Sequence, residues 1–124
     1  MKRRFPPETL AGFEATKYPY IRAGDHRLIP IWVVVVKGRV IVRSWNDLAD
    51  GWYRAFLEQP RGAVRFGKDG DEIPVRAVRV RSTQLNDAAD GAYAAKYTTK
   101  ANAKYVKGFK HPKRKATTLE LLPG

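Results

Sequence analysis

The apolar residues of this chain fall mainly into short runs that are typical of β-strands. Residues 31–36 are all apolar, four of them valine, and have no helical period, so residues 28–36 predict a strand buried on both faces. The dipeptide Lys37-Gly38 predicts a two-residue turn. Residues 39–45 then predict the return strand of a hairpin.

Four further segments predict strands around this hairpin. Residues 16–23 predict an edge strand, because Pro19 has no N–H to donate to a neighbouring strand. Residues 62–67 and 73–81 are separated by a turn sequence and predict a second hairpin. Residues 117–122 predict a last strand that closes the sheet.

The strand predicted at residues 73–81 changes its apolar phase near Ala77. A one-residue bulge at this point would restore a single apolar face. The same bulge would align Arg76, Arg79 and Arg81 on the other face, an arrangement that depends entirely on the register.

Two segments have helical character. Asn46 and Asp47 offer capping oxygens for a helix that ends just before Pro60. Residues 87–107 have a helix-forming composition, interrupted by Gly91. Two helices and five or six strands predict a small antiparallel barrel with two or so peripheral helices, a mainly β protein of the α+β class.

The length of 124 residues fits one domain. We assign residues 16–124 to that domain and residues 1–15 to an N-terminal arm, loose or briefly helical. Pro6-Pro7 opposes a regular element in this arm.

The net charge of +12 is concentrated near the C-terminus. Between Lys96 and Lys115 there are eight basic residues and no acid, so the rest of the chain carries only +4. Such a segment attracts anions, which include nucleic acid, acidic lipid and phosphorylated ligands.

Four lysines in this segment recur at helical spacing and predict one basic stripe: Lys96, Lys100, Lys104 and Lys107. Tyrosines are interleaved with them. The stripe is either a solvated face with tyrosines that anchor the helix, or a face that binds an anionic partner such as single-stranded nucleic acid.

Several kinds of chemistry are excluded. There is no cysteine, so disulfides and thiolates are absent. His26 and His111 are far apart without metal-ligand spacing, and no metal is expected. No apolar segment follows the basic N-terminus, and no apolar run is long enough to cross a bilayer. We therefore expect a soluble, cytoplasmic protein without a membrane partner.

A family resemblance rests on short motifs between Pro30 and Gly67. These motifs resemble the split-barrel superfamily that contains pyridoxamine-phosphate oxidases and deazaflavin-dependent nitroreductases. Within that superfamily, the chain is most similar to a group of short bacterial proteins of unknown function. The motifs are Ile31-Trp32-Val33-Val34-Val35-Val36, Gly38, Val42-Arg43-Ser44, Gly51-Trp52-Tyr53-Arg54 and Gln59-Pro60.

The resemblance implies a split barrel, FMN or deazaflavin as cofactor, and a homodimer with cofactor sites at its interface. Arg43 and Ser44 are the predicted phosphate contacts, because a guanidinium forks onto phosphate oxygens and a hydroxyl adds one hydrogen bond. A helix start near Asn46 would contribute amide donors. The alternative is that Arg43 pairs with a carboxylate and Ser44 satisfies a turn.

Aromatic residues near this strand end are candidates to stack on a flavin ring, although Trp52 is also expected in the core or a dimer interface. Lys96 or Lys100 is a further candidate for a cofactor phosphate. The predicted cofactor-binding residues are Arg43, Ser44, Trp45, Trp52, Tyr53, Lys96 and Lys100.

Two functional hypotheses follow. The first is an FMN- or deazaflavin-binding oxidoreductase, in which the cofactor supplies the redox chemistry. The second is a non-catalytic module that holds an anionic partner, nucleic acid or a phosphorylated ligand, through its basic C-terminal helix.

Overall fold

A seven-stranded antiparallel sheet curls into a half-barrel in the computed structural model, which describes residues 4–124. The strand order across the sheet is β2-β1-β5-β6-β7-β4-β3. The predicted fold class is confirmed. In chain order the strands are β1 (Tyr20–Ala23), β2 (Ile29–Pro30), β3 (Val33–Val36), β4 (Arg39–Val42), β5 (Arg61–Arg65), β6 (Ile73–Arg79) and β7 (Leu119–Pro123).

Five α-helices accompany the sheet within residues 4–124, where about two were expected. They are α1 (Pro7–Ala15), α2 (Trp52–Glu58), α3 (Thr83–Lys96), α4 (Ala103–Gly108) and α5 (Pro112–Lys115), with a single 3-10 turn at Lys100–Asn102. In this described part of the chain, no helix combines the length and apolar character needed to cross a membrane.

Helix α1 lies in the arm that was predicted to be loose or briefly helical, although Pro6-Pro7 was expected to oppose a regular element there. Pro7 occupies the first turn of the helix, where an N–H has no intrahelical acceptor and its loss costs nothing. The helix packs on the sheet through Phe13, which is completely buried.

The strand predicted at residues 28–36 is divided into β2 and β3, which lie at opposite edges of the sheet. Between them, the Ile31 amide donates to the Pro19 carbonyl at 2.9 Å. The chain thus passes directly from one edge of the curled sheet to the other. The strand order also places β1 between β2 and β5, so β1 is an internal strand and not the predicted edge strand. Pro19 precedes β1 and lies outside it.

Burial of β3 on both faces is confirmed. Val33 belongs to an apolar cluster that also contains Phe13 of α1 and Phe56 of α2. Val34 belongs to a second cluster, on the opposite face, with Tyr93 of α3. The sheet is therefore covered on both faces, which explains its continuous apolar run.

The bulge predicted in β6 is absent. Its register against β7 is continuous from Val75↔Pro123 to Arg79↔Leu119, so Arg76 and Arg79 lie on opposite faces. The change of apolar phase has another cause: Val75 and Ala77 pack in the first cluster, while Val80 packs against the second.

Strand β7 lies inside the sheet, between β6 and β4. It pairs with β4 through Val40↔Leu121 and with β6 through Ala77↔Leu121. The predicted final strand therefore joins the β3–β4 hairpin to the other four strands.

Candidate functional site

The predicted phosphate cradle requires a helix that begins directly after Ser44, at the end of β4. Helix α2 begins at Trp52, not near Asn46, because residues 46–51 form turns that bring the Gly51 amide to the Leu48 carbonyl. The helix start therefore does not follow directly on Ser44, as the predicted phosphate cradle requires.

Arg43 is completely buried, and all of its N–H groups point at protein acceptors. Nε donates to Thr118 Oγ1 at 2.8 Å. One terminal nitrogen donates to Asp90 Oδ1 at 2.7 Å and to the Phe109 carbonyl at 2.9 Å. The other contacts the carbonyl and side-chain oxygens of Asn86, both at 3.3 Å. This is the alternative arrangement, in which Arg43 pairs with a carboxylate.

Ser44 is also engaged within the chain. Its hydroxyl donates to the Asn46 carbonyl at 2.6 Å, and its amide donates to Thr117 Oγ1 at 2.9 Å. Both bonds fix the turn that leaves β4 and hold it against the segment before β7.

The predicted lysine stripe is broken, because α3 ends at Lys96. Lys96 Nζ turns inward and donates to the carbonyls of Phe13, Thr16 and Val33, each at 2.8 Å. Burial lowers the pKa of Lys96 to about 8. Lys100 lies exposed in the 3-10 turn that follows. Thr99, whose hydroxyl caps that turn, is the sequence feature that indicates the break.

An aromatic pocket of about 250 Å³ opens beside Arg43. The aromatic rings of its wall pack against one another edge-on. The ring centroids of Trp45 and Tyr105 are 4.9 Å apart, and those of Trp32 and Phe109 are 5.5 Å apart. The pocket is therefore mostly apolar, with Arg43 as its one charged lining residue. It is lined by Pro30, Ile31, Trp32, Arg43, Trp45, Trp52, Tyr105 and Phe109.

A basic cleft of about 230 Å³ is also lined by Trp45. The Arg114 guanidinium covers the Trp45 ring, 3.6 Å from its centroid, and donates through Nε to the Trp45 carbonyl at 3.0 Å. Trp45 thus forms a wall shared by the two cavities. The cleft is lined by Ser44, Trp45, Asp47, His111, Lys113, Arg114 and Thr117.

The structure brings together some of the predicted cofactor-binding residues. Arg43, Trp45 and Trp52 line the aromatic pocket, while Ser44 and Trp45 line the basic cleft. Tyr53 is buried in the first apolar cluster and lines neither cavity. Lys96 and Lys100 also lie outside both. Across residues 4–124, no three His, Asp or Glu side chains group closely enough to hold a metal ion.

Sequence reasoning missed several lining residues. Tyr105 and Phe109 are four positions apart at α4, a spacing that places two rings on one helical face. His111, Lys113 and Arg114 belong to the basic segment between Lys96 and Lys115, for which the sequence predicted no cavity. Their place beside Trp45 depends on the packing of α4 and α5, which local sequence does not reveal.

Replacing Gly108 with alanine is expected to displace Trp45 and lower stability by about 1–3 kcal/mol. An added Cβ would lie 2.6 Å from Cζ3 of the Trp45 ring and closer still to Cη2. Thermal unfolding and tryptophan emission measure the two effects. Gly91→Ala is the control, because its Cβ meets nothing within 4 Å in the middle of α3. Equal melting temperatures in the two variants would contradict this packing.

The sequence and the fold each have recognisable relatives. The model of the family described as an uncharacterized protein conserved in bacteria (DUF2255) matches residues 19–121. No curated protein matches the chain.

Two solved structures are similar to this one over most of their length. The conserved hypothetical protein Rv2991 from Mycobacterium tuberculosis is 15% identical with a TM-score of 0.59, over 98% of this chain and 83% of that one. A putative pyridoxamine 5'-phosphate oxidase from Listeria innocua is 11% identical with a TM-score of 0.58, over 94% and 90%. At these identities the likeness establishes the split-barrel fold.

Proposed function

The chain belongs to this uncharacterised bacterial family, DUF2255, and we propose that it binds FMN or a deazaflavin and acts as an oxidoreductase. The observation that carries the proposal is that Trp45 lines both the aromatic pocket and the basic cleft. A ligand that has both a planar ring and a phosphate matches this pair of cavities.

The residues present fit such a group. Trp32, Trp45 and Tyr105 offer aromatic surface to a flat ring, and Pro30 and Ile31 add apolar walls. Lys113 and Arg114 bring positive charge to the adjoining cleft. Pyridoxamine 5'-phosphate, in the name of the Listeria innocua protein, is likewise an aromatic ring that carries a phosphate.

A bound flavin supplies electron and hydride transfer itself. The chain then needs to bind it, orient its ring and keep water from one face, and it needs no acid–base residue of its own. Buried Trp52 and Phe109 supply water-excluding surface. The predicted homodimer is part of the proposal, and light scattering of the purified protein measures its mass.

Wild-type protein is expected to take up FMN or a deazaflavin saturably, and Trp45→Leu is expected to weaken that binding about tenfold, because one stacked ring contributes about 1–3 kcal/mol. Fluorescence titration against FMN, FAD and a deazaflavin measures both. Tyr18→Leu is the matched control, since Tyr18 is exposed and lines neither cavity. Circular dichroism checks that each variant folds. Failure of the wild type to bind any of the three at high micromolar concentration would refute the proposal.

The second candidate is a module that binds an anionic partner such as nucleic acid. Its support is that Lys100, Lys104 and Lys107 stay exposed although they do not share one helix. This candidate requires binding that weakens steeply with salt and is lost in Lys100→Glu and Lys104→Glu. A flat binding curve at low salt would eliminate it.

A further inference from the structure

We propose that the basic cleft is a phosphate-monoester subsite in which His111 and Lys113 bind the terminal phosphate of a flavin mononucleotide. The inference rests on the proposed flavin binding and adds which residues recognise the phosphate. It makes the protein selective for the mononucleotide over the unphosphorylated flavin.

Two other basic side chains, Arg43 and Lys96, donate all of their hydrogen bonds to groups within the protein. The donors of Arg43 are directed at Thr118, Asp90, Phe109 and Asn86. The three protons of the Lys96 ammonium match its three carbonyl acceptors. Neither side chain has a donor left for a phosphate oxygen.

The basic cleft, in contrast, has donors without acceptors. Among residues 4–124, no atom accepts a hydrogen bond from Lys113 Nζ. His111 Nδ1 accepts from the Lys113 amide at 3.2 Å, so the proton of a neutral imidazole resides on Nε2. His111 Nε2 has no partner within the same described residues. These two groups are available to an anion.

The net charge of the cleft favours a dianion. Asp47 is its one acidic residue, and both Asp47 oxygens accept from Arg54, at 2.6 and 2.7 Å. That ion pair offsets the carboxylate, so the positive charges of Lys113 and Arg114 remain uncompensated. Arg114 holds the Trp45 ring through its guanidinium, which fixes the wall between phosphate and ring sites.

The neighbouring cavities indicate the ligand class. Because Trp45 lines both of them, one molecule that occupies both needs a ring system for the aromatic pocket and a phosphate for the basic cleft. FMN has both, joined by its ribityl chain, whereas riboflavin has the ring without the phosphate and inorganic phosphate has only the anion. These three molecules are therefore the probes that separate the two cavities.

The experiment measures dissociation constants for FMN and riboflavin in the wild type, Lys113→Ala, His111→Ala and Lys110→Ala. Lys110 is the control, because it is exposed, adjacent in sequence and not part of the cleft wall. We expect Lys113→Ala to weaken FMN binding about tenfold, His111→Ala to weaken it less, and Lys110→Ala to leave it unchanged. Riboflavin affinity is expected to be the same in all four proteins.

Inorganic phosphate gives a second measurement. It is expected to compete with FMN but not with riboflavin, and to change the tryptophan fluorescence of the wild type but not that of Lys113→Ala. If Lys113→Ala and His111→Ala bind FMN as tightly as the wild type does, the subsite is overturned and the proposed function stays intact. If neither flavin binds, both the proposed function and the mononucleotide subsite fail. An equal loss of FMN and riboflavin affinity would show a general disturbance, which also overturns the subsite.

Discussion

Arg43→Met is expected to lower the free energy of unfolding by about 3–5 kcal/mol, since removing one partner of a buried ion pair leaves uncompensated polar groups. The Arg43 guanidinium ties β4 to α3 through Asp90 and to the chain before β7 through Thr118 and the Phe109 carbonyl. Methionine has a similar length but no donors. Asp90 keeps one ion pair, with Lys115 at 3.0 Å, so the cost lies mainly in the other acceptors. Urea unfolding measures the loss.

Two further variants make this prediction specific. Arg43→Lys keeps the charge but loses the planar fork, and it is expected to be intermediate in stability. Arg79→Met removes an exposed arginine and is expected to stay within about 0.5 kcal/mol of wild type. A loss below about 1 kcal/mol in Arg43→Met would mean that the buried network does not stabilise the fold.

Lys96→Met is expected to destabilise the protein by about 2–3 kcal/mol, because a hydrogen bond to a charged group contributes about 1.5–3 kcal/mol and three carbonyls lose their donor. These carbonyls belong to the end of α1 and the start of β3. The loss would loosen α1 from the sheet. Denaturant unfolding measures it, with Lys100→Met as the exposed control. Equal stabilities of the two variants would contradict this role.

The same variant gives a pH dependence of known sign. Burial lowers the pKa of Lys96 to about 8 in the folded protein, from an ordinary 10.5. Between these two values the unfolded chain holds the proton that the folded chain has released, so Lys96 makes stability rise with pH. The stability difference between wild type and Lys96→Met should therefore widen from pH 7.5 to pH 10. A constant or shrinking difference would oppose the assignment.

The local sequence correctly predicted the features that depend on residues close together in the chain, namely the burial of β3 and the hairpin turn that follows it. The valine run of β3 predicted burial on two faces, and both clusters contain its side chains. The hairpin at Lys37-Gly38 forms as predicted, with both residues at positive φ. The break at Ile31 was not predictable, because it arises from the curl that brings distant edges together.

Two polar side chains have partners that differ from those the sequence predicted. Asp47 was a candidate helix cap, but its carboxylate pairs with Arg54, seven positions along the chain. Lys96 fitted a solvent-exposed stripe, but its ammonium meets carbonyls more than sixty positions away. Trp45 was among the predicted ring contacts and lines both cavities. Its neighbours from α4 and α5, in contrast, became apparent only through their packing.

The internal position of β7 also determines how the chain must assemble. Arg39 and Glu120, which pair across β4 and β7, are 81 positions apart, so the sheet is completed through one of its longest chain closures. Closing so long a loop carries an entropic penalty before any contact compensates for it. Within residues 4–124, strands β3 and β4 join the other strands of the sheet only through β7. Release of that one strand would divide the sheet, so amide protons in both parts should exchange together as a single cooperative unit.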